Sequence, residues 1–121
     1  MTRKEALTEL LEKVKAGEYT ASGDSDDMWL KWHDAFSPRD WKSYNELAHG
    51  AFDGSMDAAL SLFEAVLPGW LYFGGPCVAS EGSLYTVYSA DMEQCECGRA
   101  YTPSRALLIA ILEALVAMEE G

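Results

Sequence analysis

The sequence predicts a single α+β domain spanning residues 1–121, built from a small antiparallel β-meander and several helices, the last of them buried. Three observations carry this expectation. Apolar residues recur at helical spacing near both ends of the chain, a run of aromatic and β-favouring residues lies between Trp70 and Tyr88, and the C-terminal segment is apolar nearly all round. At 121 residues the chain can bury one core without disulfide or metal staples.

The first element is a helix, because Leu7, Leu10, Leu11 and Val14 fall at i, i+3, i+4 and i+7 while Arg3, Lys4, Glu12, Lys13 and Lys15 occupy the other face; Gly17 ends it. Residues Thr20 to Asp27 are polar, contain Gly23 and three aspartates, and follow neither period, so they read as a loop. From Met28 to Phe52, Trp29, Trp32, Phe36 and Trp41 mark interrupted short helices, the second opened by Ser37 as N-cap with Pro38 in the first helical position. Asp53-Gly54 breaks the chain. Ser55 then caps a helix in which Ala59, Leu62, Phe63 and Val66 share one face, and Pro68-Gly69 stops it.

Trp70 to Phe73 reads as a strand bounded by the turn Gly74-Gly75-Pro76, and Leu84 to Tyr88 as another; Cys77 to Ser80 is a candidate strand between them, with Glu81-Gly82 as the hairpin turn. Glu93 to Ala100 reads as loop or frayed strand. Thr102-Pro103 then caps a final helix to about Glu119, which must be covered on more than one side, at the centre of the domain or partly by another subunit.

The net charge is −11, from 20 Asp and Glu against 9 Lys and Arg. Such a field repels phosphate backbones and anionic membranes, so direct binding to nucleic acid or membrane is not expected. A basic partner would be attracted, and plain solubility is the other explanation of the same charge. The longest apolar run, Ala106 to Leu112, falls short of the roughly 20 residues that span a bilayer. The charged start Met1-Thr2-Arg3-Lys4-Glu5-Ala6 does not read as a secretory signal, which gives a cytoplasmic expectation, and three cysteines there are expected to be free thiols.

The stretch Ser55-Met56-Asp57-Ala58-Ala59-Leu60-Ser61-Leu62, continuing through Val66-Leu67-Pro68-Gly69-Trp70, resembles the central signature of the phage ABA sandwich domain family. The ending Tyr101-Thr102-Pro103-Ser104-Arg105-Ala106-Leu107-Leu108 with its Glu-Glu tail, and the start Lys4-Glu5-Ala6-Leu7-Thr8-Glu9-Leu10-Leu11, resemble it too, so that the matching pieces cover about half the chain. The resemblance implies a three-layer α/β/α sandwich and an origin in a phage or prophage, hence a bacterial host cell. It brings no catalytic residues, and its motifs, helix caps and stripes, say nothing of function.

Chemistry-bearing residues are few. Cys95 and Cys97, with Cys77, are a weak candidate for metal, since a fourth ligand must come from His33 or His49 and only one tight cysteine pair exists. His33-Asp34 lacks the further ligands of a metal-dependent hydrolase, and Gly74-Gly75-Pro76 lacks the lysine of a phosphate loop. No cofactor is expected. The candidate binding surface is the aromatic segment Trp29, Trp32 and Trp41 with Arg39 and Lys42, joined by the acidic loop Asp24, Asp26 and Asp27. The ordinary readings are that the tryptophans pad one side of the sheet and that aspartates favour loops.

These readings converge on a non-enzymatic phage accessory protein that inhibits bacterial antiviral defence, anti-CRISPR-like, by binding a host defence protein such as a CRISPR effector through an acidic surface. One alternative is a protein that sequesters a nucleotide immune signal in a pocket of Trp32, Trp41, Arg39 or Lys42. The other is a virion structural or assembly factor, and a homodimer through the C-terminal helix is the expected self-contact.

Overall fold

The computed structural model describes residues 3–16, 41–76 and 82–120. In chain order they form helix α1 (Arg3–Ala16), α2 (Trp41–Phe52), α3 (Met56–Val66), strands β1 (Leu71–Pro76), β2 (Ser83–Tyr88) and β3 (Cys95–Ala100), and helix α4 (Pro103–Glu120). The strands make an antiparallel sheet in the order β1-β2-β3, so the chain is a mixture of helix and strand with the C-terminal helix packed on the sheet.

Helix α4 lies at the centre. It starts where Pro103 occupies the first turn and the Thr102 hydroxyl accepts a hydrogen bond from the Arg105 amide at 3.3 Å. Every residue from Ala106 to Leu112 is buried, as are Ala114 and Leu115, because α4 meets β2 and β3 on one side and α1, α2 and α3 on others. A helix apolar nearly all round is therefore covered within one chain. Each Leu or Ile so buried contributes about 1.5–3 kcal/mol, and among the described residues α4 holds the most buried apolar side chains.

Helix α1 buries Ala6, Leu7, Leu10, Leu11 and Val14, the predicted stripe plus one alanine, against α4. Arg3 pairs with Glu119 at 3.0 Å and Lys15 pairs with Glu113, so the two helices run in opposite directions. Exposed ion pairs of this kind are worth about 0–1 kcal/mol each and specify direction more than they stabilise. In α3 the Ser55 hydroxyl accepts from the Ala58 amide at 3.2 Å, as expected of an N-cap, and Ala59, Leu62 and Phe63 face the core.

Arg105, in the first turn of α4, ties that turn to the end of α2. Its guanidinium donates to the Phe52 carbonyl at 3.1 Å and stacks 3.9 Å from the centroid of the Phe52 ring. The cation meets a helix C-terminus, where the unpaired carbonyls and the dipole both favour positive charge.

Register assigns each strand two faces. Tyr72, Gly74 and Pro76 of β1, Ser83, Tyr85 and Val87 of β2, and Glu96, Gly98 and Ala100 of β3 share the face toward α4. The Tyr72 ring meets Phe63 of α3 edge-on at 5.4 Å and Tyr85 at 6.4 Å, which anchors β1 to the helical layer. Gly98 is buried under α4, and a Cβ there would strike the Ala106 carbonyl and lie 2.5 Å from the Ala110 amide. The helix backbone thus passes directly over the strand, an approach that Ala106 and Ala110 allow from the other side.

Two strand assignments differ from the sequence expectation. Gly74-Gly75-Pro76 is the second half of β1, where a turn was expected; Gly74 fits beneath the Tyr85 ring because it has no side chain, and Pro76 ends an edge strand, where a missing N–H is tolerated. Residues Cys95–Ala100, expected as loop or frayed strand, form a full strand paired along its length with β2. The third strand of the meander is therefore β3, while the proposed strand Cys77 to Ser80 lies outside the described residues, as do the loop Thr20 to Asp27 and the Ser37-Pro38 helix start. Among the described residues, α4 packs on β2 and β3, and Phe63 of α3 meets Tyr72 on that same face.

Gly98→Val should lower stability by about 1–3 kcal/mol or more, since neither the α4 backbone nor β3 can withdraw without opening the core. Urea unfolding with an unchanged m-value would check this, and a loss below about 0.5 kcal/mol would contradict the close approach.

Candidate interaction surface on the outer face of the sheet

Of the residues singled out in the sequence, Asp24, Asp26, Asp27, Trp29, Trp32, Arg39 and Cys77 lie outside the described residues. Trp41 and Lys42 open α2, with side chains outside the described set, and the same holds for His49 further along that helix. Among the described side chains of that set, the structure brings together Cys95 and Cys97, which stand exposed on β3 as free thiols. Among the described residues no group of three metal-ligating side chains assembles.

The surface that sequence reasoning missed is the face of the sheet turned away from α4. In register it presents Leu71, Tyr88 and Cys95 in one row, Phe73, Thr86 and Cys97 in the next, and Gly75, Leu84 and Arg99 in the third. Leu71 is 50% and Phe73 61% exposed, values that matter because soluble surfaces seldom expose large apolar side chains side by side. Phe73 packs diagonally on Tyr88 with ring centroids 5.8 Å apart. These rows contain no carboxylate in a chain of net charge −11, and Arg99 supplies their one charge. An apolar, aromatic centre with charge confined to the margin is the anatomy of a protein interface. The alternation that marks it was hidden in the sequence because Cys95 and Cys97 alternate with Glu96 and Gly98, which face inward.

The β2–β3 loop closes one end of this face through a compact polar knot. The Ser89 hydroxyl donates to the Asp91 carboxylate at 2.6 Å, the Glu93 amide donates to the same oxygen at 3.0 Å, and the Gln94 amide donates to the Ser89 hydroxyl at 3.1 Å. Met92 takes a left-handed backbone (φ 63°), unusual for a residue with a side chain, so that its amide can reach the Ser89 carbonyl at 2.9 Å. The hydrogen bond from Ser89, and then that from the Glu93 amide, hold the Asp91 carboxyl below its ordinary value of 3.8.

A second surface lies on the α2–α3 hairpin, where Glu46, Asp53, Asp57 and Glu64 are all exposed. Asp57 sits in the first turn of α3, where it complements the free amides. Two open concavities of about 430 and 460 Å³ run along α1 and are lined by Glu9, Glu12 and Lys13 and by Lys4, Glu5 and Thr8. Neither gathers the apolar walls and convergent polar groups of a small-molecule site from the described residues.

Because the folded Asp91 binds its proton more weakly than the unfolded chain, its contribution to stability is present above pH 3.8 and is lost as pH falls through the lowered folded value. Asp91→Asn should therefore lower stability at pH 7 and flatten the acid limb below about pH 4. Parallel thermal melts from pH 7 to 2 read this, and superimposable acid limbs would contradict it. Comparison with family profiles, curated proteins and solved structures found no match to this chain.

Proposed function

We propose that the protein is a non-enzymatic binding protein of phage or prophage origin that inhibits bacterial antiviral defence by occupying a basic surface of a host defence protein. The observation that carries this reading is the exposed carboxylate set Glu46, Asp53, Asp57 and Glu64 on the α2–α3 hairpin of a chain with net charge −11. A protein surface built to grip nucleic acid is positively charged, and an acidic domain competes for it by the same field that excludes the domain from nucleic acid itself. The target class is a nucleic-acid-gripping effector such as a CRISPR nuclease, and the setting follows from the resemblance to the phage ABA sandwich family. The three-layer α/β/α arrangement belongs to this reading as the fold that the resemblance implies.

The exposed apolar sheet face favours a second reading, a virion assembly factor, for which that face is the contact. The two readings use different residues. Replacing Glu46, Asp53, Asp57 and Glu64 by Lys moves the net charge from −11 to −3 and should abolish protection of a CRISPR-sensitive phage in plaque assays, while Phe73→Ser leaves protection within a few-fold. Full protection by the charge-reversed protein, with loss in the Phe73→Ser variant, would transfer the function to the sheet face.

A further inference from the structure

Cys95 and Cys97 stand two residues apart on a regular strand, so their side chains leave the same face of the sheet, and both are exposed free thiols. The strand rise separates their Cα atoms by about 6.6 Å. This is near the upper limit of about 6.8 Å for a disulfide, so the regular strand disfavours an internal bond and leaves two thiols side by side, free to converge on one ion by rotation about χ1.

From this pair we propose a two-thiolate binding site for a soft monovalent cation, Cu(I). Thiolates select Cu(I) over hard ions, and the neighbouring outward positions support the choice: Tyr88 and Thr86 lie opposite the cysteines, Phe73 lies beyond Thr86, and these outward rows contain no Asp or Glu to favour magnesium or calcium. Zinc normally requires four protein ligands in a structural site, and these strands offer two. Binding releases one proton from each thiol to solvent and forms two Cu–S bonds; copper remains Cu(I), and nothing is oxidised or reduced. The complex carries one net negative charge. Arg99, on the same face and two residues beyond Cys97, places a positive charge beside it.

The site is tested with the full chain under anaerobic, reducing conditions, by titrating Cu(I) in competition with a chromophoric Cu(I) chelator and recording the copper K-edge absorption fine structure of the loaded protein. The expected result is one equivalent retained with two sulfur neighbours, and a loss of affinity greater than tenfold in Cys95→Ser and in Cys97→Ser, with far-ultraviolet circular dichroism unchanged because both positions are exposed. Undiminished affinity in either serine variant, a third sulfur neighbour, or no retention against the chelator would overturn the proposal.

Discussion

The fold depends on the contact between the backbone of α4 and the backbone of β3. A helix that is apolar on nearly every side cannot sit at a surface, so it must have protein beneath and above it, and the chain supplies a sheet on one side and three helices on others. For the helix to lie that deep, its axis must come close to the sheet. Gly98 on the strand and Ala106 and Ala110 on the helix remove the atoms that would hold them apart. Once α4 is placed, α1 is fixed by its own stripe and by ion pairs near its two ends, and α2 is fixed by Arg105 reaching its last carbonyl.

Placing the described helical contacts on one face of a three-stranded sheet has a consequence for the other face. The outward rows of Leu71, Phe73, Leu84, Thr86 and Tyr88 become surface, and β1 becomes an edge with backbone groups turned outward. Edges of this kind recruit other strands unless something discourages them. Here the discouragement against a second copy is electrostatic, since two chains of net charge −11 repel one another, and Pro76 ends the strand.

The helical elements were legible because their signals are local. Leu7, Leu10, Leu11 and Val14, the Ser55 cap and the Thr102-Pro103 start are spacing or capping patterns that need no knowledge of the rest of the chain. Strand β3 was not legible, because Cys-Glu-Cys-Gly-Arg-Ala lacks β-branched and aromatic residues, and what makes it a strand is a partner at β2 and a helix lying across Gly98. The Gly74-Gly75 pair misled for the same reason: glycine marks a turn in a local reading, whereas here Gly74 makes room for a tyrosine ring from the next strand. Of the candidate site, the Cys95/Cys97 spacing was visible in the sequence, but that both thiols share an outward face with Phe73 and Tyr88 depended on a register no local pattern specifies.

The two exposed surfaces have opposite chemistry, and each suits a different step of association. Charge on the α2–α3 hairpin acts over a Debye length of about 8–10 Å and governs how fast and from which side a basic partner approaches, but exposed carboxylates alone give little residence time. Residence comes from buried apolar contact, and the outer sheet face offers exposed Leu71 and Phe73 beside half-buried Tyr88, in rows without carboxylates. Aspartates on the sheet would lose solvation on contact, and leucines on the hairpin would shield its charge. Keeping carboxylates off the outward rows of the sheet while leaving them on the helices therefore lets long-range attraction and short-range burial operate without cancelling each other.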